Sequence, residues 1–300
     1  MQNERKSSFK LKERRRVAIV MESSGNYARG LLSGVLNFKR ESGLWSVSFC
    51  DTHLRADISH WLKEWHGEGI LLLSNNCRLN CCVKSLKIPT VLLDSATDSH
   101  KWSNIEHDNV KVSQYCFEHL KECGFTNFAF YGQINGEGHK ERKKCFQRMV
   151  RNAGLRCFIY SHQHRTVKIG SKRYEGLGLK DRGQVAEWVK RLPKPVGVMA
   201  CDDRHAQHIL DASRALGLVS PKDIAAIGVG NDELFCDLCY PPLTSVVTND
   251  EQVGFQAAML LSDMMSGKIR SRRKIVVEPT GIVIRRSTRL QPVNGTGSVG

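Results

Sequence analysis

No stretch of the 300-residue sequence approaches the roughly 18 to 20 consecutive apolar residues that a membrane-spanning helix needs. The N-terminus, MQNERKSSFKLKERRR, lacks the apolar centre of a secretory signal, and Glu4 and Glu13 do not suit the acid-poor composition of a transit peptide. These absences predict a cytoplasmic protein without membrane contact. The sequence also lacks a GxSxG elbow, a phosphate-binding P-loop and a GxGxxG turn after its first strand; SSGNYARG has glycines at the wrong spacing for a dinucleotide. No catalytic residue is assigned, and an enzyme is not expected. Acidic residues are sparse beside basic ones, 30 against 45, for a net charge of +15. Such an excess points to nucleic acid when it gathers on one helix or arm. Here it is spread over 14–16, 140–144, 268–274 and 285–286, which favours a solvated basic surface.

Cysteine is plentiful: there are 11, an odd number without an export signal, which predicts free thiols in a reducing compartment. Cys77, Cys81 and Cys82 form a CxxxCC cluster, and Cys236 and Cys239 a CxxC. Structural zinc needs four ligands, and one CxxC without a second well-placed pair does not supply them. No metal or cofactor is expected.

Strand and helix signals alternate along the chain. Short apolar runs at 17–20, 69–73, 89–93, 127–131, 196–200 and 224–229 read as buried strands. Helical periods lie between them, at 28–41, 58–65, 109–122, 139–153, 181–190, 203–216 and 249–265, several closed by glycine. Segment 161–180 reads as a loop, and 275–278 and 282–286 as final short strands. This order means parallel sheets flanked by helices. About ten strands suit two sheets better than one. The expectation is a two-lobed α/β fold, with one lobe built from 14–106 and 243–270 and the other from 107–242 and 273–288. Residues 1–13 and 289–300 are expected to be disordered. Ligands of open parallel sheets bind beyond the carboxyl ends of the strands, so the loops after Val20, Leu93, Tyr131, Ala200 and Val229 should line a cleft between the lobes.

The ordered segments IPTVLLDS, IEHDN, HLKECGF, VMACDDRHAQHIL, ALGLVSPKDIAAIGVGND, PPLTSVVTND and GFQAAMLLSDMMSGK resemble the sensor domain of the LacI family and the type I periplasmic sugar-binding proteins. ARGLLSGVLNF, LPKPVGVMACDDRHA and GVGNDELFCDL are similar in particular to the xylose-operon regulators, which join such a sensor to a C-terminal AraC-type pair of helix-turn-helix motifs. The resemblance covers about residues 14 to 288. It implies a type I periplasmic-binding-protein-like fold, a sugar effector of the pentose class, a homodimer, and DNA contact only through a helix-turn-helix domain that residues 1–300 are not expected to hold. A cytoplasmic solute-binding protein, or a stand-alone sugar sensor without DNA binding, is the alternative.

A sugar is held by carboxylates, amides and arginine forks, with aromatic faces against its C–H surfaces. The resemblance places Arg142 at the family's sugar-contacting arginine; the other reading is a surface arginine among Lys140, Lys143 and Lys144. It places Asp202 at a ligand position just before a helix, with Asp203 as that helix's N-cap; Asp202 could instead be a second cap acceptor. Ser23, Ser24 and Tyr27 follow the first strand, and Asp94 ends the fourth; each is a candidate ligand contact or a turn residue. Gly230 stands where the family carries a sugar-binding Asp, which leaves Asn231 or Asp232 to reach into the site. Leu31, Leu32, Val35 and Phe38 form one helix face, suited either to a dimer interface or to packing on the chain's own sheet.

Overall fold

Runs such as VAIV and GILL are apolar at every position, which suits strands covered by helices on both faces. In the computed structural model, which describes residues 14–42, 45–52, 57–74, 76–93, 102–132, 137–160 and 182–289, they form the middles of two six-stranded sheets. The first contains β1 (Arg15–Met21), β2 (Trp45–Asp51), β3 (Gly69–Leu72), β4 (Thr90–Leu93), β5 (Ser103–His107) and β11 (Lys274–Val277), in the order β11-β5-β4-β3-β1-β2, all parallel. The second contains β6 (Asn127–Tyr131), β7 (Arg156–Ile159), β8 (Val196–Ala200), β9 (Ile224–Val229), β10 (Thr244–Val247) and β12 (Gly281–Val283), in the order β12-β10-β9-β8-β6-β7. Only β12 runs antiparallel to its neighbour there. The helices are α1 (Asn26–Ser42), α2 (Ile58–Glu64), α3 (Cys77–Ser85), α4 (Asn109–Glu122), α5 (Glu137–Asn152), α6 (Arg182–Arg191), α7 (Asp203–Ala215), α8 (Glu233–Leu238) and α9 (Asp250–Met265). Apolar clusters lie on both faces of each sheet.

Three elements escape the sequence reading: helices α3 and α8 and the short strand β10. Helix α3 begins at Asn76, whose side chain accepts from the backbone N–H groups of Arg78 and Leu79. The cysteine cluster therefore lies on this helix, with Cys77 and Cys81 exposed one turn apart. Helix α8 is only six residues long, too short for its period to register. The expected loop 161–180, Asp94 and nearly all of the two terminal segments lie outside the described residues.

The lobe boundaries fall differently from the sequence expectation. Strand β10 lies in the second sheet, not the first, and β11 pairs with β5 in the first sheet, not the second. The apolar face of α9 belongs to the first lobe, where Val253, Ala257 and Leu261 join the core around Ile19 and Leu71. The chain thus crosses at β5–α4, β10–α9 and β11–β12. The crossings are tied to one another: Asp108 N–H donates to the Val277 carbonyl (2.8 Å) and Thr280 N–H to that of Val247 (3.0 Å). His107 Nε2 lies 2.9 Å from Asp250 Oδ1, both side chains being nearly inaccessible.

Helix α1 packs on α9 and on its own sheet. Leu31 and Val35 are buried there, and Phe38 lies against Trp45 (5.2 Å between ring centroids) and Phe255 (5.8 Å). The face considered for dimerisation is occupied within the chain. The two helices approach closely because each offers a glycine. A β-carbon on Gly34 would lie 1.9 Å from the Glu251 carbonyl oxygen, and one on Gly254 2.0 Å from that of Leu31.

Candidate functional site

The carboxyl ends of β6, β8 and β9 bring Tyr131, Cys201, Asp202, Asp203 and Gly230 to one end of the second sheet. Arg142 reaches them from α5. It is buried, which removes the surface-arginine reading. Its Nε donates to Asn109 Oδ1 (2.8 Å) and its Nη1 to the Cys201 carbonyl (2.7 Å). The guanidinium is therefore anchored to the residue next to Asp202.

The cap expected of Asp203 falls to Asp202, the alternative role considered for that residue. Asp202 is the N-cap of α7: its Oδ1 accepts from the His205 backbone N–H (2.8 Å) and lies 2.7 Å from His205 Nδ1. Because a carboxylate accepts, that ring nitrogen carries the proton. Asp203 lies inside the first turn and is buried. Ser245 Oγ donates to its Oδ1 and the Asp232 N–H to its Oδ2 (3.0 Å). Asp203 thus staples α7 to the loop after β9 and to β10. Burial pushes its carboxyl up to about 6, although the Ser245 and Asp232 hydrogen bonds pull the other way.

Gly230 has φ +123°, a backbone state open to glycine and strained for other residues. Asn231 follows at φ +50°, buried. Its N–H donates to Ser245 Oγ (3.0 Å), and its Oδ1 accepts from Arg285 Nη1 (2.8 Å). Asp232 caps α8 through Phe235 N–H (3.4 Å). These contacts engage Asn231 and Asp232 with the scaffold.

The candidates after β1 lie on the first lobe. Ser23 donates to Asp51 Oδ2 through both its N–H (3.2 Å) and its hydroxyl. Ser24 Oγ donates to Glu22 Oε1 (2.6 Å). The Tyr27 ring packs against His107 at the crossings, 5.4 Å between centroids.

Several neighbours went unnoticed in the sequence. Tyr131 heads an aromatic group with Tyr160 (5.0 Å), Trp188 (6.0 Å), His205 (5.5 Å) and His208 (6.4 Å). His139 lies one turn before Arg142 on α5, and its ring is 6.4 Å from that of His205. The available signals were the three-residue spacings His139/Arg142 and His205/His208, which put each pair on one helix face. Donor atoms of His139, Cys201 and Asp202 all lie within 4.8 Å of one another, so these three could share a metal ion.

The electrostatics of this group are mutual. Burial pushes the Asp202 carboxyl up, but the charge and hydrogen bond of His205, with His139 beyond, hold it well below the usual carboxylate range. Burial and Asp202 raise the Cys201 thiol, yet His205 and His139 together hold it below its ordinary value. Burial works against protonation of His205 and His139, but Cys201 and Asp202 overcome it, and both imidazoles titrate above their ordinary value.

The family model for the periplasmic binding protein-like domain matches residues 117–288. The xylose operon regulatory protein of Escherichia coli (strain K12) is 27% identical over 287 residues, covering 92% of this chain and 70% of that protein. The structure of a xylose-binding transcription activator superposes with a TM-score of 0.78 at 25% identity, covering 93% of this chain and 70% of that one. A transcriptional regulator, CelR, in complex with cellobiose gives 0.74 at 20% identity, covering 92% and 86%. The fold is that of the type I periplasmic-binding-protein-like sensors, and the chain belongs to the periplasmic binding protein-like domain family.

Proposed function

We propose that this chain is the ligand-sensing module of a bacterial transcription regulator and that its cleft binds a small sugar of the pentose class. The observation that carries the reading is the anchoring of Arg142 on the Cys201 carbonyl, beside Asp202, at the carboxyl ends of β6 and β8. A cationic donor fork next to an anionic acceptor suits vicinal hydroxyls. Aromatic Tyr131 and Trp188 stand nearby. The similarity to xylose operon regulators supports the same reading. The chain then acts by binding and closure, not catalysis. Operator recognition is assigned to a separate helix-turn-helix module, and the protein acts in the cytoplasm as a homodimer.

Calorimetry with D-xylose and a panel of pentoses tests the proposal. One charged hydrogen bond to a hydroxyl contributes about 1.5 to 3 kcal/mol, or roughly 10- to 150-fold in affinity. Arg142→Lys and Asp202→Asn are each expected to weaken binding by that factor. Binding as tight in both folded variants as in the natural protein would refute this placement of the site.

A further inference from the structure

We propose that His139, Cys201 and Asp202 form a binding site for a divalent transition metal of the zinc class. The inference stands on these residues whichever sugar the cleft takes, and it departs from the sequence expectation of no metal. Three donors of three kinds converge from two elements: an imidazole from α5, and a thiol and a carboxylate from the end of β8. Thiolate, imidazole and carboxylate are the donor set that borderline-soft zinc accepts, whereas magnesium and calcium take oxygen alone.

The distances suit the ion. Ligand atoms at zinc's usual bond lengths in a tetrahedron stand about 3.3 to 3.8 Å apart. Cys201 Sγ lies 3.8 Å from Asp202 Oδ2. His139 completes a set in which no two donors exceed 4.8 Å, so a shift of about 1 Å in its ring closes the geometry. The partners of Asp202 divide in the way a ligand carboxylate needs. Oδ1 is held by the backbone and ring of His205, which fixes the carboxylate while Oδ2 faces the sulfur. Gly132 keeps one side of the sulfur clear, since a β-carbon there would lie 2.6 Å from Cys201 Sγ.

The Cys201 sulfur is wholly buried. A bound divalent ion would hold it as the thiolate. On binding, the Cys201 S–H bond breaks, the sulfur's electron pair forms the metal bond and the proton leaves to solvent. His139 likewise gives up its extra ring proton to solvent and binds through a neutral ring nitrogen. Three protein ligands leave a fourth position for water or for a hydroxyl of a bound sugar.

The test is a titration of the chelator-stripped full chain with cobalt(II), then zinc, in the absence of sugar. Cobalt is expected to bind one per chain with the near-ultraviolet charge-transfer band of a thiolate ligand, and zinc to displace it. Cys201→Ser should abolish the band, and His139→Gln should weaken binding at least tenfold while keeping it. The double variant Cys77→Ser/Cys81→Ser, which removes the exposed pair on α3, should change nothing. Melting curves of metal-free protein establish that each variant is folded; if Cys201→Ser is not, His139→Gln decides. Absence of the band, its loss in the α3 variant, or affinity unchanged in His139→Gln would overturn the proposal. The titration is made without sugar, and the pentose panel measures sugar binding separately on metal-free protein, so the two readings fail independently.

Discussion

Asp202 and Asp203 show how far one position matters at the start of a helix. An Asp-Asp pair before a helical period announces a cap but not which residue is the cap. The first takes the role and stays partly exposed; the second turns inward onto Ser245 and Asp232. The inward carboxyl has a testable consequence. Its folded pKa, about 6, lies above the ordinary carboxylate value, so its protonated form is favoured by folding. That contribution is full below about pH 4 and is lost as pH rises through about 6, on the order of 3 kcal/mol in all. Urea denaturation between pH 4.5 and 7.5 should show a steeper loss in the natural protein than in Asp203→Asn, whose amide can donate to Ser245 and accept from Asp232. Parallel curves would contradict this account. Gly230 is the second case. The family's Asp at this position suggests restoring it, but φ +123° argues otherwise. Gly230→Asp is expected to cost about 1 to 3 kcal/mol in stability from backbone strain, with a second carboxylate set close to Asp203. A denaturation midpoint unchanged in Gly230→Asp would show that the loop relaxes.

The elements most legible in the sequence were those whose local signals and tertiary demands agree. Strands β6, β8 and β9 and helix α4 coincide with their expected bounds, because an apolar run buried on both sides, or a period opened by Asp108 and closed at Gly124, has little competition. Helix α8 and the sheet membership of β10 and β11 were not legible, since pairing across sheets is settled by partners far away in sequence. The same holds for the α1–α9 contact. Gly34 and Gly254 are helix-interior glycines, and propensity alone says that alanine at either would stabilise by about 1 kcal/mol. The packing says the reverse: a methyl group on either would meet backbone of the other helix at about 2 Å. Overpacking of this kind costs about 1 to 3 kcal/mol or more and outweighs the propensity gain. Gly254→Ala is expected to melt several degrees below the natural protein by calorimetry. A higher melting temperature would mean that the helices can separate at little cost.

At the scale of the molecule, two mainly parallel sheets are joined by three crossings, and ligands of open parallel sheets bind beyond the carboxyl ends of their strands. The alternation of strands and helices made the two sheets legible, and Arg142 and Asp202 were named from a resemblance. The surroundings of those two residues were not legible: nothing local in the sequence says that Arg142 turns inward onto residue 201, or that His139, Cys201 and His205 gather around Asp202. The central claim is that this gathering is the effector site of a pentose sensor. Isothermal titration of the natural protein, Arg142→Lys and Asp202→Asn with D-xylose and related pentoses tests it most directly. The account expects saturable one-to-one binding of at least one pentose by the natural protein, weakened roughly 10- to 150-fold in each variant. Failure of every pentose to bind the folded natural protein, or equal affinity in all three proteins, would contradict it.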